Sequence, residues 1–213
     1  MFKSLFLAGI LSFTSLTGFA ATTPSPPTPA PTTNQKVMKI LSGNYEIDSP
    51  HTHVAFTIPH FVISEVQGRF DDVSGNFTIG KTFLDSKFTA TAQVASIDTG
   101  VKQRDDHLRS AEFFDAEKFP VITFSSKTIT GTYDNFKMVA AVTIKGITRD
   151  VLFSGAYKGG IIKDSFGKQR VALKATGKVN RRDFNINYDG KFDLGPVVGD
   201  DVEITIITEG VKI

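Results

Sequence analysis

Eight residues, GNFTIGKT from Gly75 to Thr82, satisfy the pattern G-x-x-x-x-G-K-[ST]. In nucleotide-binding proteins such a loop wraps phosphate with its glycine amides and adds a lysine cation and a metal-binding hydroxyl. That chemistry requires a buried parallel strand before the glycines and a helix whose N-terminus faces the phosphates. Here VQGRFDDVS precedes Gly75 and FLDSKFTATAQVASI follows Thr82. The first is polar, and the second alternates Thr with apolar residues and has no helical stripe. Neither nucleotide nor nucleic acid is an expected partner. Gly75 and Gly80 read instead as turn or bulge residues, Phe77 and Ile79 as one face of a strand, and Lys81-Thr82 as the entry to a long strand from Thr82 to Ile97.

The histidines are the second place where chemistry could sit. His51 and His53 are two apart, a spacing that puts both on one side of a strand, with His60 nearby. Imidazole pairs of this kind hold zinc or copper. They could equally be hydrogen-bonding residues at a strand start, given Asp48, Ser49 and Pro50 beside them. Spacing fixes no third ligand. RDDHLR, Arg104 to Arg109, offers His107 among carboxylates as general acid–base equipment, or else a solvated helix face with internal pairs such as Asp105 with Arg109. A metal-dependent or acid–base enzyme built on the His51/His53/His60 cluster is therefore the alternative function. The leading reading assigns no catalytic residue, no metal and no cofactor. The chain has no Cys, which excludes disulfides, thiol catalysis and Cys-ligated metals. It has no G-x-S-x-G elbow to supply a nucleophile.

Period-two alternation dominates the elements that must position these residues. Val54, Phe56 and Ile58 share one parity; so do Phe88, Ala90, Ala92 and Val94; Phe136, Met138, Ala140, Val142 and Ile144; Val151, Phe153 and Gly155; Val171, Leu173, Ala175 and Val179; and Val202, Ile204 and Ile206. Runs rich in Thr, Val, Ile and Phe, bounded by Gly, Asp, Asn or Pro, are strands. Turns are expected at Thr132–Asn135, Lys145–Thr148 and Lys163–Gly167. About eight long strands joined mostly as hairpins give an all-β antiparallel sandwich or barrel. One stretch departs from this. Leu108, Ala111 and Phe114 recur at helical spacing within Val101 to Phe119, with Asp98 or Thr99 as cap and Pro120 as stop.

The chain opens with Lys3, an apolar run from Leu5 to Leu16 and small residues at Gly18 and Ala20. This is the layout of a signal peptide, residues 1–20, and predicts export to the periplasm. A Pro/Thr-rich linker follows over residues 21–35, then one globular domain over 36–213. Its near-balanced charge gives no long-range attraction to nucleic acid. Phenylalanine is abundant and Trp absent. Small residues (Ala90, Ala92, Ala140, Gly155, Ala175) share parity with large ones, which leaves room inside a barrel wide enough for one ligand.

The segments YEIDSPHTHVAFTIPHFVISEVQGRFDDVSG, ASIDTGVKQRDDHLRSAEFFDAEKFPVITFSS, VTIKGITRDVLF, NRRDFNI and VVGDDVEITIITEGVKI resemble the YceI-like family. The most specific core is HLRS-x-x-FFD-x-x-x-F-P, from His107 to Pro120. The resemblance implies an eight-stranded antiparallel lipocalin-like barrel with one short helix and a long interior tunnel. It also implies a polyisoprenoid or related amphiphilic lipid as ligand, a homodimer in many members, and an envelope partner that the sequence leaves unnamed. On the family pattern Phe56, His60, Phe61, Phe70, Phe113, Phe114, Phe119 and Phe124 are candidate tunnel residues, with Arg104 and Arg109 near a polar headgroup. The family's R-x-D-F motif usually continues with Gly. Here Asn185 follows Phe184, so the turn at that point is expected to differ.

Overall fold

The computed structural model describes residues 37–213 except 39, 160, 161 and 194. The signal peptide and the whole of the linker expected from sequence lie outside the described residues. Strands β1 (Gly43–Ile47), β2 (His53–His60), β3 (Ser64–Phe70), β4 (Val73–Ile79), β5 (Lys87–Gln93) and β6 (Ile97–Asp98) come before the helix α1 (Lys102–Arg109). Strands β7 (Val121–Thr132), β8 (Asn135–Ile144), β9 (Ile147–Tyr157), β10 (Ile162–Lys163), β11 (Gln169–Asn180), β12 (Lys191–Phe192), β13 (Gly195–Pro196) and β14 (Asp201–Lys212) follow it.

The pairings close a ring. β14 pairs antiparallel with β2 through Glu203–Ile207 and with β1 through Gly210–Lys212. The two are thus halves of one barrel strand, interrupted by a 3-10 turn at Ser49–His51. β3 and β4 are likewise two halves of the next strand, paired to β2 and β1. β5 and β6 complete the third. β7, β8, β9 and β11 continue the meander, and β11 pairs along its length with β14. Eight strand positions, all antiparallel, form a closed barrel with one short helix, as expected from the sequence. Closure leaves no sheet edge on the ring.

Alternation decides which face turns inward. In β8 the residues Phe136, Met138, Ala140, Val142 and Ile144 are all buried, while Asn135 and Lys137 on the other parity face solvent. The turn from β8 to β9 has left-handed backbone at both Lys145 and Gly146, the primed geometry that matches strand twist in a two-residue hairpin. Several inward rings lie over a glycine on another strand. A side chain at Gly155 would meet the Phe136 ring at 2.4 Å, one at Gly177 the Phe153 ring at 2.7 Å, and one at Gly210 the Phe77 ring at 2.2 Å. Gly155 thus makes room for a protein ring and leaves none for a ligand.

Two expectations are corrected. The helix ends at Arg109, and residues 110–119 form consecutive turns, because Ser110 adopts extended ψ and Asp115 a left-handed φ. Its N-cap is Val101, without a side-chain bond. Asp105 instead reaches back as acceptor for the Thr99 amide and hydroxyl, and Asp106, not Asp105, pairs with Lys102 and Arg109. The stretch from Thr82 to Ile97 is not one strand: 3-10 turns at Phe83–Asp85 and Val94–Ser96 flank β5. In GNFTIGKT, Gly75 to Ile79 lie in β4 with Phe77 and Ile79 buried, and Gly75 has φ 150°. Lys81-Thr82 lead into the first of those 3-10 turns, so no α-helix follows the loop.

The registers define two ends. Tyr45, Ile79, Arg170 and Lys212 mark one; His60, Ser64, Asn180 and Asp201 mark the other. At the first, Met38 and Leu41 pack into the same core as Tyr45, Phe83 and Phe136. The Tyr45 hydroxyl donates to the Leu41 carbonyl at 2.6 Å, and burial pushes its pKa up to about 12. Also at this end, Arg170 gathers Asp48, Asp164 and Glu209, tying the end of β1 to the β10–β11 hairpin and β14. The second end carries α1, the turns of 110–119 and the segment from Arg181 to Asp200.

Candidate functional site

The barrel encloses a cavity of about 380 Å³ whose wall is almost entirely apolar. Inward residues of β2 (Val54, Phe56, Ile58) and of β14 (Val202, Ile204, Ile206) line one side, and β5, β7 and β8 the other. Two of the polar side chains that touch it, Thr52 and Thr208, bond to each other. Both are buried, their hydroxyls lie 3.1 Å apart, and Thr52 also accepts from the Glu209 amide.

Polar and aromatic side chains collect at the end that carries α1. Arg104 donates to the Thr99 hydroxyl at 2.7 Å and to the Thr99 carbonyl at 2.8 Å, so the 99–105 cap holds its guanidinium at the cavity wall. The His107 Nε2 lies 2.6 Å from Glu112, and its ring meets Phe113 and Tyr188 edge-on. Arg181 is almost fully buried. It donates to the Ile186 and Gly199 carbonyls and to Asp200. Burial draws its pKa down from the ordinary arginine value, which is high enough to leave it a cation. Its bonds fasten the segment 181–200 across the barrel end. A bridge between His60 and Val198, with the Phe61 amide donating to Val197, attaches that segment to β2.

Of the residues selected from sequence, Phe56, His60, Phe70, Arg104, Phe113, Phe114 and Phe124 lie on the cavity wall. Phe113 and Phe114 stand on turns after α1, not on a helix. Phe114 meets Phe70 edge-on, with centroids 5.7 Å apart. Three residues stand elsewhere. Phe61 has left-handed backbone in the β2–β3 loop and packs between His60 and Phe192. Phe119 packs toward Gly146 beneath Lys118. Arg109 bonds the Ala95 and Ile97 carbonyls and Asp106, bracing α1 against the loop before it. Sequence reasoning missed Arg181, Tyr188, Val197 and Val198, all on the wall. They lie in a segment with no periodicity, and only the NRRDFNI motif hinted at them. Asn185 adopts left-handed backbone with φ 56°, a conformation Asn tolerates better than most residues.

The histidine cluster does not assemble. His53 and His60 stand at opposite ends of β2, about 23 Å apart at strand rise. His51 lies in the 3-10 turn, bonded to Asp48. Asp48, His51 and Glu209 do bring ligand atoms within 4.8 Å of one another, but the Arg170 guanidinium contacts both carboxylates and supplies the positive charge there.

Comparison with known proteins agrees with this architecture. The model of the YceI-like domain matches residues 45–209. Among curated relatives, the UPF0312 protein plu2095 of Photorhabdus laumondii is 34% identical over 175 residues, covering 81% of this chain and 88% of its own length. Protein YceI of Salmonella newport is 35% identical with the same coverage. Among solved structures, Burkholderia cenocepacia BcnA superposes with a TM-score of 0.66 at 21% identity, covering 76% of this chain and 98% of its own. A polyisoprenoid binding domain from Saccharophagus degradans superposes with a TM-score of 0.56 at 12% identity, covering 79% and 98%. With the matched span running from β1 to β14, the chain belongs to the YceI-like family.

Proposed function

We propose that this protein is a non-enzymatic binder of long-chain isoprenoid or similar amphiphilic lipid, acting as carrier or scavenger in the periplasm after export. The observation that carries the reading is the enclosed apolar cavity, which a packed structural barrel would not need. A structural neighbour described as a polyisoprenoid binding domain and the leader pattern of residues 1–20 support it. Burial of hydrocarbon is worth about 0.8 kcal/mol per methylene, so a tail alone supplies strong binding. Arg104, His60 and His107 then discriminate among headgroups. Homodimerisation and a loading partner in the envelope belong to the same reading.

Native mass spectrometry of protein expressed with its leader in a bacterial periplasm is the direct test. The expected result is a co-purified lipid of several hundred daltons, lost on Phe114→Asp substitution while the fold is retained. Protein that arrives empty and takes up no prenyl lipid in titration would remove the proposal.

A further inference from the structure

The cavity has a floor, and the floor is made of rings. Phe77, Phe88 and Phe136 lie on the wall. Tyr45 stacks on Phe77 with centroids 5.1 Å apart, Phe77 on Phe88 at 5.4 Å, Phe88 meets Phe83 at 6.3 Å, and Phe83 meets Phe136 at 5.1 Å. This five-ring chain crosses the barrel between strands β1 and β8. Beyond it Leu41 and Ile79 are buried in the core but absent from the cavity wall. The barrel interior is thus divided into an open chamber toward α1 and a packed one toward the other end.

The floor is held from behind. Phe77 lies over Gly210 and Phe136 over Gly155, each closer than an added methyl would permit. Tyr45 is fully buried and anchored by its hydroxyl to Leu41. For a ring to swing aside it would need space that neighbouring side chains already occupy, and close-packed interiors resist such rearrangement.

Volume converts this into a length. A cavity of about 150 Å³ accommodates benzene, roughly 25 Å³ per carbon. On that scale the cavity of about 380 Å³ takes about fifteen carbons, or three isoprene units. Resting on the lipid-binding reading above, we infer that the Tyr45–Phe77–Phe88–Phe83–Phe136 chain is a length gauge: it limits the enclosed part of the ligand to about three isoprene units. Longer isoprenoids leave their remaining units outside the mouth at the α1 end. Phe77 and Phe136 are then the residues that set chain-length specificity.

The experiment is a titration of the intact mature protein with linear prenols, by displacement of a fluorescent farnesol analogue. Affinity should rise at least tenfold from geraniol to farnesol and change less than threefold from farnesol to geranylgeraniol and longer prenols. In Phe77→Ala, and independently in the milder Phe136→Leu, the plateau should move to a longer chain, with at least a tenfold gain for geranylgeraniol over farnesol in the first. Affinity that keeps climbing tenfold with each added unit beyond farnesol in the unsubstituted protein would overturn the gauge while leaving lipid binding intact. Folded floor variants whose plateau stays at farnesol would also overturn it. Failure of every prenol to displace the probe would overturn both readings.

Discussion

Filling the chamber should abolish binding without harming the fold, and Ala90 is the position to do it from. It lies on β5 opposite Phe124 and on the cavity wall. Ala90→Phe adds six carbons, about 150 Å³ on the benzene scale, to a chamber of about 380 Å³. The roughly 230 Å³ left holds about nine carbons, so a fifteen-carbon guest must leave about six of them in water. At about 0.8 kcal/mol per methylene that is ~5 kcal/mol. Compactness of the reference state and partial contact outside lower it to ~3 kcal/mol. The expected loss for farnesol is therefore about 100-fold or more, with each ~1.4 kcal/mol giving a factor of ten. Geraniol, whose ten carbons nearly fit the remaining space, should lose less than tenfold. Melting temperature should stay level or rise, since the new ring enters apolar space instead of clashing with packed side chains. Displacement titrations with both prenols, beside a thermal melt, provide the measurement. An Ala90→Phe protein with unchanged melting and unchanged farnesol affinity would refute the placement of the ligand in this cavity.

Other expectations concern the scaffold. Arg170 holds the Asp48 carboxyl below the usual carboxylate range, chiefly by hydrogen bonding. A depressed folded-state pKa stabilises at pH above the unfolded value of about 3.9 and loses that contribution as pH falls through the folded one. Stability should therefore fall on acidification below about pH 4, and Arg170→Met should lower melting at pH 7 while flattening that acid decline, as followed by thermal melts across pH. Gly155→Ala would place a methyl 2.4 Å from the Phe136 ring and 2.6 Å from the Lys174 carbonyl oxygen. Because backbone cannot yield as a side chain can, it should cost about 1–3 kcal/mol in denaturant unfolding. The Tyr157 hydroxyl is buried without a hydrogen-bond partner among the described residues, so Tyr157→Phe should leave stability unchanged or raise it by up to ~1 kcal/mol. Tyr45→Phe, which loses the bond to Leu41, should lower stability by about 1 kcal/mol. Paired melts compare the two directly.

The barrel was legible in the sequence because alternation is a strong local signal wherever one face is buried and the other wet. The parity of Phe136 to Ile144 and of Val171 to Val179 is the observed inward face. What alternation leaves open is where a strand is broken. The 3-10 turns at Phe83–Asp85 and Val94–Ser96 bury Phe83 and Val94 much as a strand would, so their residues still read as apolar beats. The helix was overextended for a related reason. Leu108, Phe113 and Phe114 pack against the core, but the chain passes from Leu108 to the two phenylalanines by turns, not by continued helix. Those turns are closed by backbone bonds from the Phe113 and Asp115 amides to the Ser110 carbonyl, and residue spacing does not report such bonds. Arg181 was hidden because a buried cation reads from sequence like any solvated one. Only the fold reveals the carbonyls of Ile186 and Gly199 that surround it.

The closing strand has a consequence for how the chain folds. β14 is the last element, yet it holds β11 on one flank and β1 and β2 on the other. Thr52 meets Thr208 at a sequence separation of 156. Contacts of such separation slow folding, because loop-closure entropy is lost before they form. Until Asp201–Lys212 is free to pair, β1 and β2 lack a neighbour on one side and the cavity has no complete wall. The cavity therefore gains its full wall only when β14 pairs on both flanks.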